Sequence, residues 1–192
     1  MSRDSPYTRY NDEFAKLARK ARKSQQQFIA PTPTVLREVK TDTIYSPKNL
    51  QEFIGQNDIK EILGITIKAA RKEKRNLPPL MFTGRYGIGK TALAQVTLRE
   101  FGSRVYQIDG QSINKDIPRS SGTYIIDEIH DILPEVCDQL NQELDQGLSI
   151  IGCTTNPGKL PAPFRSRFMT FFLKPYTEKE ISKIAQNICD RK

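Results

Sequence analysis

Cysteine is scarce: Cys137, Cys153 and Cys189 are three in 192 residues, and no two of them stand at C-x-x-C spacing. Neither a disulfide framework nor a zinc site of ordinary spacing is therefore suggested, and thiols kept reduced inside a cell are expected. No charged leader followed by a short apolar core opens the chain, and no apolar run approaches the ~20 residues of a membrane span. Internal repeats are also missing. These absences point to a soluble, cytoplasmic protein with no membrane partner. The length suffices for one substantial core with a small appendage.

Charge is plentiful and uneven. The net charge is +8, with 27% charged and 37% hydrophobic residues. Residues 1–30 hold seven Lys/Arg against three Asp/Glu, and residues 68–75 hold five against one. Residues 1–12 are polar and lack a hydrophobic period. From Phe14 to Lys23 a helical pattern sets Phe14, Leu17, Ala18 and Ala21 on one face and Lys16, Arg19, Lys20 and Lys23 on the other. Pro31-Thr32-Pro33 then reads as a linker, so residues 1–40 form a basic, partly disordered arm. Two readings of that arm stand. One is a solvated cationic tail, and the other a helix that meets a partner with one face and nucleic-acid phosphate with the other.

The globular part begins near Thr41. Asn57–Arg75 reads as a helix with Ile59, Ile62, Leu63, Thr66 and Ala70 inward, and its basic last turn suits either the helix dipole or DNA. Strands are expected at 79–83, 105–108, 123–126, 148–152 and 170–173. Helices are expected from Thr91 and at 135–144, 162–167 and 178–191, with Thr177 to Glu180 as a capping box. Such alternation predicts an α/β fold, a parallel sheet covered on both faces, with ligands at the carboxyl ends of the strands.

Between the first of those strands and its helix lies Gly84-Arg85-Tyr86-Gly87-Ile88-Gly89-Lys90-Thr91, which fits G-x-x-x-x-G-K-[ST]. The glycines let backbone N–H groups close around a polyphosphate, and the helix N-terminus adds partial positive charge. Gly84, Gly87, Ile88, Gly89 and Ala92 line that cradle. Lys90 reaches the β- and γ-phosphates, and the Thr91 hydroxyl ligates Mg²⁺. The ligand class is a nucleoside triphosphate.

Asp127 and Glu128 end a buried strand 37 residues after Lys90. Asp127 is placed to hold the Mg²⁺ shell and Glu128 to polarise the attacking water. A further strand ends in Gly152-Cys153-Thr154-Thr155-Asn156, bringing hydroxyl and amide groups towards the γ-phosphate. Arg165 and Arg167, on a short helix before the last strand, suit a neighbouring subunit, where a guanidinium stabilises transition-state charge.

Together these motifs resemble a P-loop NTPase of the AAA+ type, and most of all the RuvB motors that drive Holliday-junction branch migration. The resemblance runs from about Ser46 to Ile188. Leu50-Gln51-Glu52-Phe53-Ile54-Gly55-Gln56 is similar to the family's adenine-flanking box, which implies Ile54 and Gly55 at the base. Asp127-Glu128-Ile129-His130 resembles its Walker B, with His130 structural rather than a metal ligand. Ile151 to Thr155 resembles its sensor-1 strand, which implies Thr155 as sensor with Thr154 second. Leu160 to Phe168 resembles its arginine-finger segment and implies Arg167. Pro175 to Ile181 resembles the start of its helical lid, which implies Tyr176 stacked on adenine.

Three departures are visible. Arg85-Tyr86 replaces two prolines of the family's phosphate loop. Glu143 to Gly147 runs straight into the next strand, so the hairpin with which the family engages its junction-binding partner is expected to be absent. After the core at 41–175, residues 176–192 are expected to form one helix of a truncated lid, without the sensor-2 arginine or winged-helix domain. The resemblance implies an ATP hydrolase acting as a homo-oligomer in DNA replication, recombination or repair, with DNA met by the basic arm and a protein partner supplying lid or DNA-binding function. The other expectation is a slow ATP-dependent switch or loader that recruits another protein. An inert scaffold is disfavoured, since every hydrolytic position holds a competent residue type.

Overall fold

A computed structural model describes residues 37–38, 47–114 and 123–190. The amphipathic segment at 14–23 lies outside them. The elements are β1 (Arg37–Glu38), α1 (Asn57–Lys72), β2 (Leu80–Thr83), α2 (Lys90–Phe101), β3 (Tyr106–Asp109), β4 (Thr123–Asp127), α3 (Pro134–Asp145), β5 (Ser149–Thr154), α4 (Ala162–Arg165), β6 (Met169–Phe172) and α5 (Glu178–Cys189). The sheet runs β1-β3-β4-β5-β2-β6. Strands β2 to β6 are parallel, and β1 pairs antiparallel with β3. This is the expected P-loop architecture, with β1 as an added edge.

Strand alternation builds two cores. Leu80, Phe82, Ile125, Ile151 and Cys153 face α1 and α2, where Leu63, Ile67, Leu93 and Val96 meet them. Met81, Tyr124, Ile126 and Ile150 face the other way, onto Val136, Cys137, Leu140 and Phe164 of α3 and α4. Both faces of the central strands are therefore apolar, as parallel sheets require. The alternation also aims chemistry: Asp127, two residues after Ile125, is thrown to the α2 side.

The face of α1 is rotated from the expected one. Ile59, Leu63, Ile67 and Ala70 are buried, whereas Ile62 is 46% exposed and Thr66 half-buried. Steps of four, four and three along the helix select the buried row. The helix ends at Lys72, before Lys74 turns to positive φ. Arg71, still exposed, donates to the Glu100 and Phe101 carbonyls at the end of α2, and this ties down one basic side chain of the cluster. Helix α5 opens on the expected capping box. Glu180 N–H donates to Thr177 Oγ1, and the Glu180 carboxylate accepts from Thr177 N–H, which holds that carboxyl below its usual range.

Candidate nucleotide site

Helix α2 begins at Lys90 behind Gly89, without a side-chain cap and without an acid in its first turn. Its N-terminal N–H groups and dipole thus stand ready for an anion. Gly89 has φ 86°, and a Cβ there would lie 2.8 Å from the Tyr176 hydroxyl. Only glycine lets the loop, Phe53 and Tyr176 approach this closely. Tyr176 also borders Gly55, where a Cβ would sit 3.1 Å from its ring. Ile54 and Gly55, with Phe53, line an open groove of about 430 Å³ together with Lys60 and the α5 residues Lys179 and Glu180.

Lys90 is buried and donates to the Gly84 and Arg85 carbonyls at 3.1 and 3.0 Å. Its Nζ stands 5.5 Å from the ring of exposed Tyr86. The Arg85-Tyr86 departure thus places an aromatic face beside the phosphate-loop amine. Thr91 Oγ1 donates to Asp127 Oδ1 at 2.7 Å, joining the loop to the end of β4. The other oxygen of Asp127 accepts from Gln107 Nε2. Cys153 lies against Asp127 and Thr91, and complete burial pushes its thiol pKa well above the usual value.

Glu128 sits one residue beyond the strand at φ 45° and ψ 47°, a left-handed conformation that costs a non-glycine residue roughly 1–2 kcal/mol. Such outliers collect at functional sites. Its Oε2 is buried, has no hydrogen-bond partner among the described residues and lies 3.1 Å from His130 Nδ1. His130 Nδ1 instead meets Thr154 Oγ1 at 2.9 Å, and that oxygen accepts from Asn156 N–H. Thr154 is fully buried in β5, whereas Thr155 lies half-buried just past it.

Gly110 underlies the turn. Its N–H donates to the Asp127 carbonyl at 2.7 Å, and a Cβ would stand 2.3 Å from the Glu128 carbonyl oxygen. Backbone cannot yield as a side-chain tip does. Gly110→Ala is expected to destabilise the fold by about 1–3 kcal/mol and to lower turnover by displacing Asp127 and Glu128. Thermal unfolding and single-turnover ATP hydrolysis of the variant check this.

Arg167 pairs through its two terminal guanidinium nitrogens with Asp145 at the end of α3, while half-buried Arg165 donates to the Pro157 carbonyl at 3.2 Å. Helix α3 reaches β5 through residues 146–148 alone, so no hairpin intervenes.

The loop, Walker B, sensor strand and Tyr176 thus converge at the carboxyl ends of β2, β4 and β5. Gln107 and its partner Gln95 belong to the same cluster, although no motif marks them, and so does the Cys153 thiol of β5. Strand period alone would have set Gln107 on one face. Its neighbourhood to Asp127 needed the β3–β4 pairing.

The uncapped α2 terminus, the unpartnered Glu128 Oε2 and the Thr91–Asp127 donor set together fit a triphosphate with Mg²⁺. Comparison with known proteins agrees. The family model of the Holliday junction DNA helicase RuvB P-loop domain matches residues 45–146. The RuvB branch-migration complex subunit of Campylobacter concisus is 31% identical over 73% of this chain and 51% of its own, and RuvB 2 of a Synechococcus is 33% identical over 72% and 45%. This chain therefore spans about half the length of the curated relatives it matches. The Thermotoga maritima RuvB branch-migration motor superposes with a TM-score of 0.68 at 31% identity, covering 77% of this chain and 56% of that one. Among the described residues no helix is long and apolar enough to cross a membrane. The chain belongs to the RuvB P-loop domain family.

Proposed function

We propose that this protein binds and hydrolyses ATP with Mg²⁺, as an oligomer acting in DNA recombination, repair or replication. The observation that carries this is the 2.7 Å bond from Thr91 to Asp127 beside the unpartnered Glu128 Oε2. Lys90 would exchange its two loop carbonyls for β- and γ-phosphate oxygens, supported by the N-terminus of α2. Thr91 and Asp127 would hold Mg²⁺, which when bound neutralises developing charge on the phosphates. Glu128 orients a water molecule and takes its proton as the γ-phosphoryl group leaves ADP. Ile54, Gly55 and Tyr176 would enclose adenine. Thr155 is the better γ-phosphate sensor, because Thr154 is engaged by His130.

Arg167 would act in trans. Its bond to Asp145 is exposed, and such pairs contribute only about 0–1 kcal/mol, so a neighbouring subunit's phosphate can displace it. Arg165 is tied to backbone. Relatives named as Holliday-junction complex subunits support a DNA substrate. Lys68, Lys72 and Lys74 remain exposed beyond the α1 face, and the arm adds further positive charge.

Such contacts are phosphate-directed. About four of them would weaken binding roughly 100-fold between about 50 and 200 mM salt. Fluorescence anisotropy of labelled duplex and four-way-junction DNA with the full chain measures that slope. No binding at low salt would remove the DNA reading. The direct α3–β5 connection favours a second reading, a slow ATP-dependent loader that meets its partner by another surface.

A further inference from the structure

The carboxylate of Asp127 is held by neutral donors. One oxygen accepts from the Thr91 hydroxyl and the other from the Gln107 side-chain amide. No motif assigns Gln107 a task. It sits on β3, which pairs with β4 so that Gln107 stands opposite Ile125. Side chains diagonal across paired strands lie within reach of one another, and this brings Gln107 to Asp127.

A lone glutamine would hold a carboxylate poorly, because its amide can turn and present oxygen to oxygen. Here the orientation is supported from both sides: Gln107 Oε1 accepts from Gln95 Nε2 at 2.9 Å, and the acceptor-only carboxylate of Asp127 takes the Nε2 end. Gln95 comes from α2, the helix whose first turn carries Lys90 and Thr91. The chain Gln95–Gln107–Asp127–Thr91 thus closes a circuit from the phosphate-loop helix, across two strands, back to that helix.

The chemistry of the donors matters as much as their geometry. A lysine or arginine at Gln107 would fix Asp127 equally well but neutralise it, and a neutralised carboxylate is a weak ligand for a hard dication. Amide and hydroxyl donors fix its rotamer and leave its charge for the metal.

We propose that Gln107, braced by Gln95, is a positioning residue that orients Asp127 for Mg²⁺ and sets the metal affinity of the nucleotide site. This rests on the ATPase reading above, which assigns Mg²⁺ to Thr91 and Asp127. It adds a requirement that motif residues alone do not contain.

The test uses the full chain, Gln107→Leu (similar shape, no donor), Gln95→Leu and the double variant. Mn²⁺ titration followed by electron paramagnetic resonance, with a non-hydrolysable ATP analogue, reads metal affinity directly. Binding of a fluorescent ATP analogue in EDTA reads the phosphate loop without metal.

Loss of a group that orients a metal ligand weakens metal binding about 10- to 100-fold, and that is expected for Gln107→Leu, with metal-free nucleotide affinity unchanged. Gln95→Leu should show a smaller loss, and the double variant no more than Gln107→Leu alone, because Gln95 acts through Gln107. The Mg²⁺ concentration for half-maximal turnover should rise in parallel. Should Gln107→Leu fold too poorly to assay, Gln95→Leu carries the test, since it leaves the strand intact.

Unchanged Mn²⁺ affinity in a folded variant that still binds nucleotide overturns the positioning role. Additive losses in the double variant overturn the brace. Absence of nucleotide binding by the unaltered chain overturns instead the ATPase reading on which the proposal stands.

Discussion

Glu128→Gln is expected to lower ATP turnover by about 10²- to 10⁴-fold, the range contributed by a positioned general base, while nucleotide affinity stays within a few-fold. The amide keeps the size of the side chain and removes the proton acceptor. Among the described residues Glu128 has no hydrogen bond on Oε2 to lose. Its left-handed backbone is also retained, and the fold should be as stable as before. Equilibrium binding of a fluorescent ATP analogue, with single-turnover hydrolysis on the same preparation, separates the two effects. A variant that turned over normally would move the base elsewhere, and one that failed to bind would make Glu128 a binding residue.

Arg167→Ala is expected to lose the part of turnover that depends on assembly, by about 10³-fold or more, as for other guanidinium groups supplied across a subunit boundary. Loss alone would not show action in trans. The decisive form mixes Arg167→Ala with Glu128→Gln. Each is nearly inactive by itself, but a mixed assembly contains interfaces where an intact Glu128 faces an intact Arg167. Activity of the mixture above the sum of its parts is the predicted outcome. The Asp145 contact does not prevent this, because an exposed pair is cheaply broken. A mixture no more active than its components would place Arg167 in a structural pairing with Asp145. The loader reading would then gain ground.

Most of this site is legible in the residues because its chemistry is local. Gly84 to Thr91 specifies a strand, a turn and a helix start within one stretch, and the structure returns them in that order. Asp127 and Glu128 are equally local, since a buried apolar strand ending in two acids has one useful place to put them. What escaped depends on pairing across the sheet. Nothing around Gln107 says that β4 lies beside β3, so its bond to Asp127 could not be read from sequence. The engagement of Thr154 by His130 joins the Walker B turn to β5, and Gly110 is constrained only because the Glu128 carbonyl passes over it. The rotated face of α1 has the same origin. Ile62 and Ile67 are equally apolar, and packing against the sheet decides that Ile67 goes in.

The cysteines show how burial rather than residue type sets reactivity. Cys137 and Cys153 are buried, and burial raises the Cys137 thiol to about 11. Both therefore stay protonated at neutral pH. Cys189 is exposed on α5.

Steady-state phosphate release from MgATP by the full chain, at low salt and across protein concentration, with and without DNA, reads hydrolysis and its dependence on assembly together. ATP hydrolysis by an oligomer with Arg167 acting in trans predicts turnover per chain that climbs with concentration and climbs further with DNA. Negligible turnover at every concentration, despite measurable ATP binding, would contradict it.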